Sequence, residues 1–232
     1  MRLKTLAFAS LALLAAWSHA QTTKAGPNEC PVNAPFLRAE ALKTAGFELP
    51  VFKRYCYTDK SGSYALLLGE KQDLRFPEEQ LSSAIQAVLY KVGSDNALTK
   101  QWAIRDFAGE HAAGINFRTK LFEFTDIDGD GLVDPVLVYR FFEPEDGEHI
   151  NTDDFAGRIK IVAFHQGKKV TIHAITGQLD DERKTTANSN YFALPKAVQQ
   201  HLVKEMAAMY GAGQFGFDNS YGFVPKKETA RR

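Results

Sequence analysis

The sequence predicts an α+β fold dominated by strands: successive antiparallel β-hairpins with a C-terminal helix packed on the sheet. Three observations carry that prediction. Short apolar and β-branched runs alternate with Gly, Asp and Asn turns from Val51 to Ile175, one of these runs alternates cleanly about a Gln166-Gly167 turn, and a single strong helical pattern follows Pro195. No repeat of fixed period is visible, so a full propeller is not expected.

At the start of the chain, Met1 to Ala20 has the three-part layout of a cleavable secretion signal. Arg2 and Lys4 give a basic start, Leu6 through Trp17 an apolar run, and Ser18-His19-Ala20 small residues at the cleavage positions. The apolar run is shorter than the about 20 residues of a membrane span, no later run approaches that length, and no cysteine follows closely enough to take a lipid. The expected mature chain begins at Gln21, is soluble and periplasmic or secreted, and forms one β-rich domain over residues 21–225 with a disordered tail at 226–232. Lys plus Arg and Asp plus Glu balance at 28 each, and loss of Arg2 and Lys4 leaves the mature chain slightly acidic. That balance provides no field for nucleic acid or an anionic membrane surface. Cys30 and Cys56 are the only cysteines. In an exported chain an even pair points to a disulfide, the alternative being two buried thiols, and no Cys-x-x-Cys redox pair is present.

The elements follow in order. Phe36-Leu37 and Ala41-Leu42 read as a short helix stopped by Gly46. Phe52 to Thr58 and Tyr64 to Leu68 are strands flanking Asp59-Lys60-Ser61-Gly62. Gly93-Ser94-Asp95-Asn96 separates Ile85 to Val92 from Leu98 to Phe107. The first of these runs is read as a strand, although Leu81, Ile85, Val88, Leu89 and Val92 also suit a helix opened by Pro77. With a turn at Gln166-Gly167, His165 faces Lys168, and Ile159, Ile161 and Ala163 lie opposite Ala174, Ile172 and Val170 on one apolar face. The same register sets His173 beside Lys160, far from His165, so both histidines read as ordinary strand residues. In the final helix Pro195 suits the first turn, Val198, Leu202, Met206 and Met209 share a face, and Gly211 stands where a C-terminal cap belongs.

One segment carries ligand chemistry. Asp126-Ile127-Asp128-Gly129-Asp130-Gly131-Leu132-Val133-Asp134 places carboxylates at positions 1, 3, 5 and 9 of a loop with glycine at 6. Alternate spacing turns the side chains toward one centre, while Gly131 permits a sharp reversal and frees the Leu132 carbonyl to point inward. Two such charges 6 Å apart repel by roughly 0.7 kcal/mol even in bulk water, and by several times that near a protein surface. A cation relieves the repulsion. The expected ligands are Asp126, Asp128, Asp130, the Leu132 carbonyl and Asp134, all hard oxygens with no nearby histidine or cysteine, which favours a structural Ca²⁺ over Zn²⁺. The alternative is an Asp/Gly hairpin loop that holds no ion.

Between Asp126 and Asp134 the chain resembles the calcium loops of the FG-GAP and integrin type, in which Asp-x-Asp-x-Asp-Gly-x-x-Asp joins two strands. The flanks here are Leu121 to Thr125 and Val136 to Phe142. The resemblance covers about twenty residues without the repeats of those proteins, and implies a site instead of a whole fold. An EF-hand would need Glu where Leu137 stands, and helical flanks. Over a longer span, the Asp loop followed by Pro135 to Tyr139, the Gln166-Gly167-Lys168-Lys169 hairpin and the Leu194-Pro195-Lys196 helix start look like an exported bacterial family labelled with surface polysaccharide biosynthesis. That resemblance implies no catalytic residues.

Other chemical-looking patterns are weaker. Gly211-x-Gly213-x-x-Gly216 matches a dinucleotide fingerprint but follows a helix where the mechanism needs a strand. The acidic run Glu143, Glu145, Asp146 and Glu148, with Asp153 and Asp154, reads as a solvated loop. Tyr210, Phe215, Phe217, Tyr221 and Phe223 either cover an open sheet edge or the foot of the last helix, or offer rings to a sugar or peptide. Three functions remain in view: a non-catalytic, calcium-stabilised envelope protein that binds a glycan or another envelope component, an enzyme acting on envelope polysaccharide through an Asp/Glu pair, and a structural partner in an envelope assembly.

Overall fold

The computed structural model describes residues 28–72, 80–147, 149–218 and 222–229. The expected secretion signal, Pro77, Glu148 and Tyr221 lie outside these described residues. Among the described residues twelve strands form one sheet. They are β1 (Asn28–Glu29), β2 (Val51–Asp59), β3 (Gly62–Gln72), β4 (Ser82–Val92), β5 (Leu98–Phe107), β6 (Gly114–Phe117), β7 (Glu123–Thr125), β8 (Asp134–Phe142), β9 (Arg158–His165), β10 (Lys168–Ile175), β11 (Lys184–Ala187) and β12 (Lys226–Lys227). The order is β1-β2-β3-β4-β6-β8-β9-β10-β11-β12, with β5 added to β4 and β7 to β8. All pairings are antiparallel except that of β11 with β12.

Rings on strands that are not neighbours touch. Tyr55 on β2 reaches Phe124 on β7 at 5.6 Å between centroids, and Trp102 on β5 stacks on Phe164 of β9 at 3.6 Å. The sheet therefore curls about an inner core that includes Leu66, Ile85, Leu89, Leu137, Tyr139 and Val162. Its outer face is covered twice. Leu42 of α1 (Ala39–Thr44) and Phe47 pack on Leu67, Val88 and Tyr90, while α3 (Lys196–Gly211) packs on Ile159, Ile161, Val170 and Ile172. A short helix, α2 (Ser189–Phe192), leads into α3 and buries Tyr191. Among the described residues no helix is long and apolar enough to cross a membrane.

This two-sided burial explains the ambiguous run at 81–92. In β4, Ile85, Ala87 and Leu89 face the inner core while Val88 and Tyr90 face the outer one, so the alternation that marks a half-buried strand disappears. Pairing with β3 on one edge and β5 on the other settles it as a strand. In the β9–β10 hairpin, His165 pairs with Lys168, Ala163 with Val170, Ile161 with Ile172 and Ile159 with Ala174. Gln166 and Gly167 both take positive φ, 48° and 75°, as a type I′ turn requires.

Three expectations need correction. The residue that terminates α3 in the left-handed conformation is Gly213 (φ 70°), not Gly211, which is still helical. The N–H of Gln214 donates to Met209 O at 3.0 Å and that of Gly213 to Tyr210 O at 2.9 Å, a Schellman cap two residues later than expected. Pro195 is the N-cap and Lys196 the first helical residue. The tail does not fray at 226: Lys226 and Lys227 pair with Thr186 and Ala187, and the Glu228 N–H donates to Ala187 O.

Cys30 and Cys56 form a disulfide that ties the segment after β1 onto β2. On the chain-entropy model, closing a loop of this length contributes about 3.5 kcal/mol. The Cys30→Ser/Cys56→Ser protein should therefore melt roughly 7 to 14 °C lower, as calorimetry would record. In the unsubstituted protein, denatured without reductant, a thiol reagent should label neither cysteine.

Candidate metal centre

The loop between β7 and β8 turns its carboxylates inward because the backbone offers them amides. Asp126 accepts from the N–H groups of Gly129 (2.8 Å), Asp130 (3.0 Å) and Gly131 (2.7 Å). Asp128 accepts from Asp130 N–H at 3.3 Å, Asp130 from Leu132 N–H at 2.8 Å, and Asp134 from Ile127 N–H at 3.1 Å. Gly131 sits at φ 81°, and a Cβ there would meet the Lys60 side chain. Leu132 is half-buried and Asp134, the first residue of β8, is buried.

Two overlapping ligand groups result. Asp126, Asp128 and Asp130 bring one oxygen each within 4.8 Å of one another, and Asp128, Asp134 and His165 bring together two oxygens and a ring nitrogen. Asp128 belongs to both. The first group is all hard oxygen on a half-buried loop, a donor set that fits Ca²⁺. No family model, curated protein or solved structure matches the chain. The site's chemistry therefore rests on its own geometry.

That geometry corrects the reading of His165 as an ordinary strand residue and of the loop as lacking a nearby histidine. Val136 on β8 pairs with Ala163 on β9, and continuing that antiparallel register sets Asp134 opposite His165. The His165 ring is buried, with Nδ1 3.0 Å from Asp134 and Nε2 3.8 Å from Asp128. His173, by contrast, stands beside Lys160 far along the ladder. Burial pushes the Asp134 carboxyl above its ordinary pKa, opposed by the Ile127 N–H and His165. Asp130 is held below the usual range by the Gln166 side-chain amide, then by the Leu132 N–H, with Lys60 and His165 adding to the effect.

The β2–β3 turn supplies partners that no local pattern announces. Asp59 accepts from Val133 N–H at 3.3 Å, the Lys60 N–H donates to Gly131 O at 3.1 Å, and the Lys60 ammonium donates to Asp130 O. The β9–β10 turn contributes Gln166, whose amide donates to Asp130 at 3.0 Å. The only sequence signals for these contacts are two polar hairpin turns. Of the aromatics between 210 and 223 that are described, Phe215 and Phe217 are fully buried under the sheet's outer face and Tyr210 and Phe223 pack against the same core.

With Ca²⁺ bound at a dissociation constant of about 10 to 100 μM, millimolar ion should stabilise the fold by roughly 1.4 to 2.7 kcal/mol. Melting should then rise by roughly 3 to 10 °C. Scanning calorimetry in EDTA and in millimolar Ca²⁺ tests this. Asp128→Ala and Asp130→Ala should abolish the rise, and the exposed Asp181→Ala should keep it.

Proposed function

We propose that this protein is an exported, periplasmic binding protein of the bacterial envelope, stabilised by calcium in the Asp126–Asp134 loop, that recognises a glycan and catalyses no reaction. The observation that carries the reading is an aromatic cleft immediately beside the loop. Its volume is about 120 Å³, and its walls include Tyr57, Tyr64, Trp102 and Phe164 together with Leu132 and Val133 of the loop itself. The Trp102 ring lies parallel to Phe164, 5° between planes, and Tyr57 stacks on Tyr64 at 5.1 Å. Flat rings with a few polar groups at their margins suit the apolar faces and hydroxyls of a sugar. Here the polar groups are Asp59, Ser61, Gln101 and Gln166.

The cleft is smaller than the roughly 300 Å³ of pockets that engulf a small molecule. It would take one residue of a longer chain lying along the surface, which suits a polysaccharide. A hydrolase of the paired-carboxylate type would need two acids about 5 to 9.5 Å apart facing the substrate, and Asp59 is the one carboxylate in the cleft wall. That favours binding over hydrolysis at this cleft.

Screening the mature protein on a glycan array, with product release monitored in parallel, should show binding without turnover. Trp102→Ala should weaken that binding roughly tenfold or more. Equal binding by wild type and Trp102→Ala would count against the cleft. Export is tested separately: intact mass of periplasmic material should place the first residue at Gln21, and retention of Met1 would refute it.

A further inference from the structure

A second group of metal-ligating side chains lies outside the loop, on the outer face of the sheet. Phe122, immediately before β7, and Phe124 within it face the inner core, so the residue between them, Glu123, projects the other way, toward α3. There it meets His201 and Glu205. These two are four residues apart on α3, hence one turn apart on a single helix face, flanking the row Val198, Leu202, Met206 that packs on the sheet. His201 Nε2 lies 2.6 Å from a Glu123 carboxylate oxygen, and one donor atom from each of the three residues lies within 4.8 Å of the others.

The composition and setting of this group differ from those of a surface acidic patch. The Glu123 side chain is only 7% exposed and that of His201 22%. A ring nitrogen with two carboxylate oxygens suits borderline divalent ions, with water completing a four-coordinate shell. Calcium, which takes six to eight oxygen ligands, suits it poorly. The backbone is also prepared to hold the shape: Glu123 lies in a strand paired with β8 at Val136, and the helix fixes the other two side chains.

We propose that Glu123, His201 and Glu205 form a second cation site, taking a borderline divalent ion of the Zn²⁺ class and independent of the Asp-rich loop. The ion clamps β7 to α3.

The test is Zn²⁺ binding by equilibrium dialysis with metal analysis, in millimolar Ca²⁺ so that the loop is already supplied with its own ion. The full mature chain should take up one equivalent of Zn²⁺. His201→Gln and Glu205→Gln should each weaken uptake at least tenfold, whereas His111→Gln, at an exposed position outside both sites, should leave it unchanged. Because Glu205 is half-buried at the edge of the helix, Glu205→Gln is expected to fold, which its melting curve would verify. A measurement on the unsubstituted protein needs no variant: Zn²⁺ addition should shift the His201 Nε2 resonance in a ¹⁵N spectrum. The proposal is overturned if no Zn²⁺ is retained, if uptake survives in both α3 variants, or if the His165 ring responds and that of His201 does not.

Discussion

Strand β8 is buried along all nine of its residues, and most of the molecule is arranged around satisfying it. Leu137, Tyr139 and Phe141 face the inner core while Val136 and Val138 face the core beneath α3. A strand buried on both faces must find every hydrogen bond within the sheet, and β8 does so with β6 and β7 on one edge and β9 on the other. Arg140 is the costly exception in this apolar run, with a buried guanidinium that requires fixed partners. It donates to the carbonyls of Asp153 and Ala156, lies 3.4 Å from Asp154, and has its charge over the Phe142 ring. The loop at 153–156 is thereby ordered by a residue of the sheet. Burial lowers the Arg140 pKa from its ordinary value, with Arg118 acting in the same direction and Asp154 and Asp153 opposing.

Fixing β8 fixes the start of the strand too, and that start is Asp134. One end of the Asp-rich loop is therefore attached to the most constrained element of the fold, while the other end leaves the three-residue strand β7. Strands hold ligands more precisely than loops do. The same constraint brings His165 to the site, because β9 is held to β8 in register from Arg158 to Ala163 and His165 follows two residues on. It also shapes the cleft: Val133 precedes β8, bonds to Asp59 through its N–H, and forms cleft wall together with Asp59.

What could be read from the sequence divides along the range of the interactions. The Asp loop is legible because its spacing is local, and the β9–β10 register because a two-residue turn and an alternating face agree. The run at 81–92 is ambiguous for a physical reason: β4 is buried on both sides, so its apolar residues fit a period of 3.6 as readily as one of 2. His165, Asp59, Lys60 and Gln166 could not be assigned to the metal centre locally, since their places follow from β8–β9 register and from turns docking on a loop up to about 70 residues away. The two-residue parallel strand at 226–227 carries no pattern at all, and the helix cap was displaced because Gly211 and Gly213 are both plausible terminators by type.

The loop's own hydrogen bonds bear on what an ion would do there. Repulsion among the carboxylates argues that a cation is needed, yet in the structure the N–H groups of Ile127, Gly129, Asp130, Gly131 and Leu132 already point at them. Hydrogen bonds to a charged acceptor are stronger than those between neutral groups, and they oppose the repulsion between the carboxylates. The loop is thus held in a converged shape by its backbone, with Lys60 and Gln166 bracing it from two neighbouring turns. An ion arriving in such a loop has little chain to order and little to move, so its binding energy goes into stability. A switch requires a second packing of similar energy to convert to, and β7, β8 and β9, all paired in one sheet, offer the loop none.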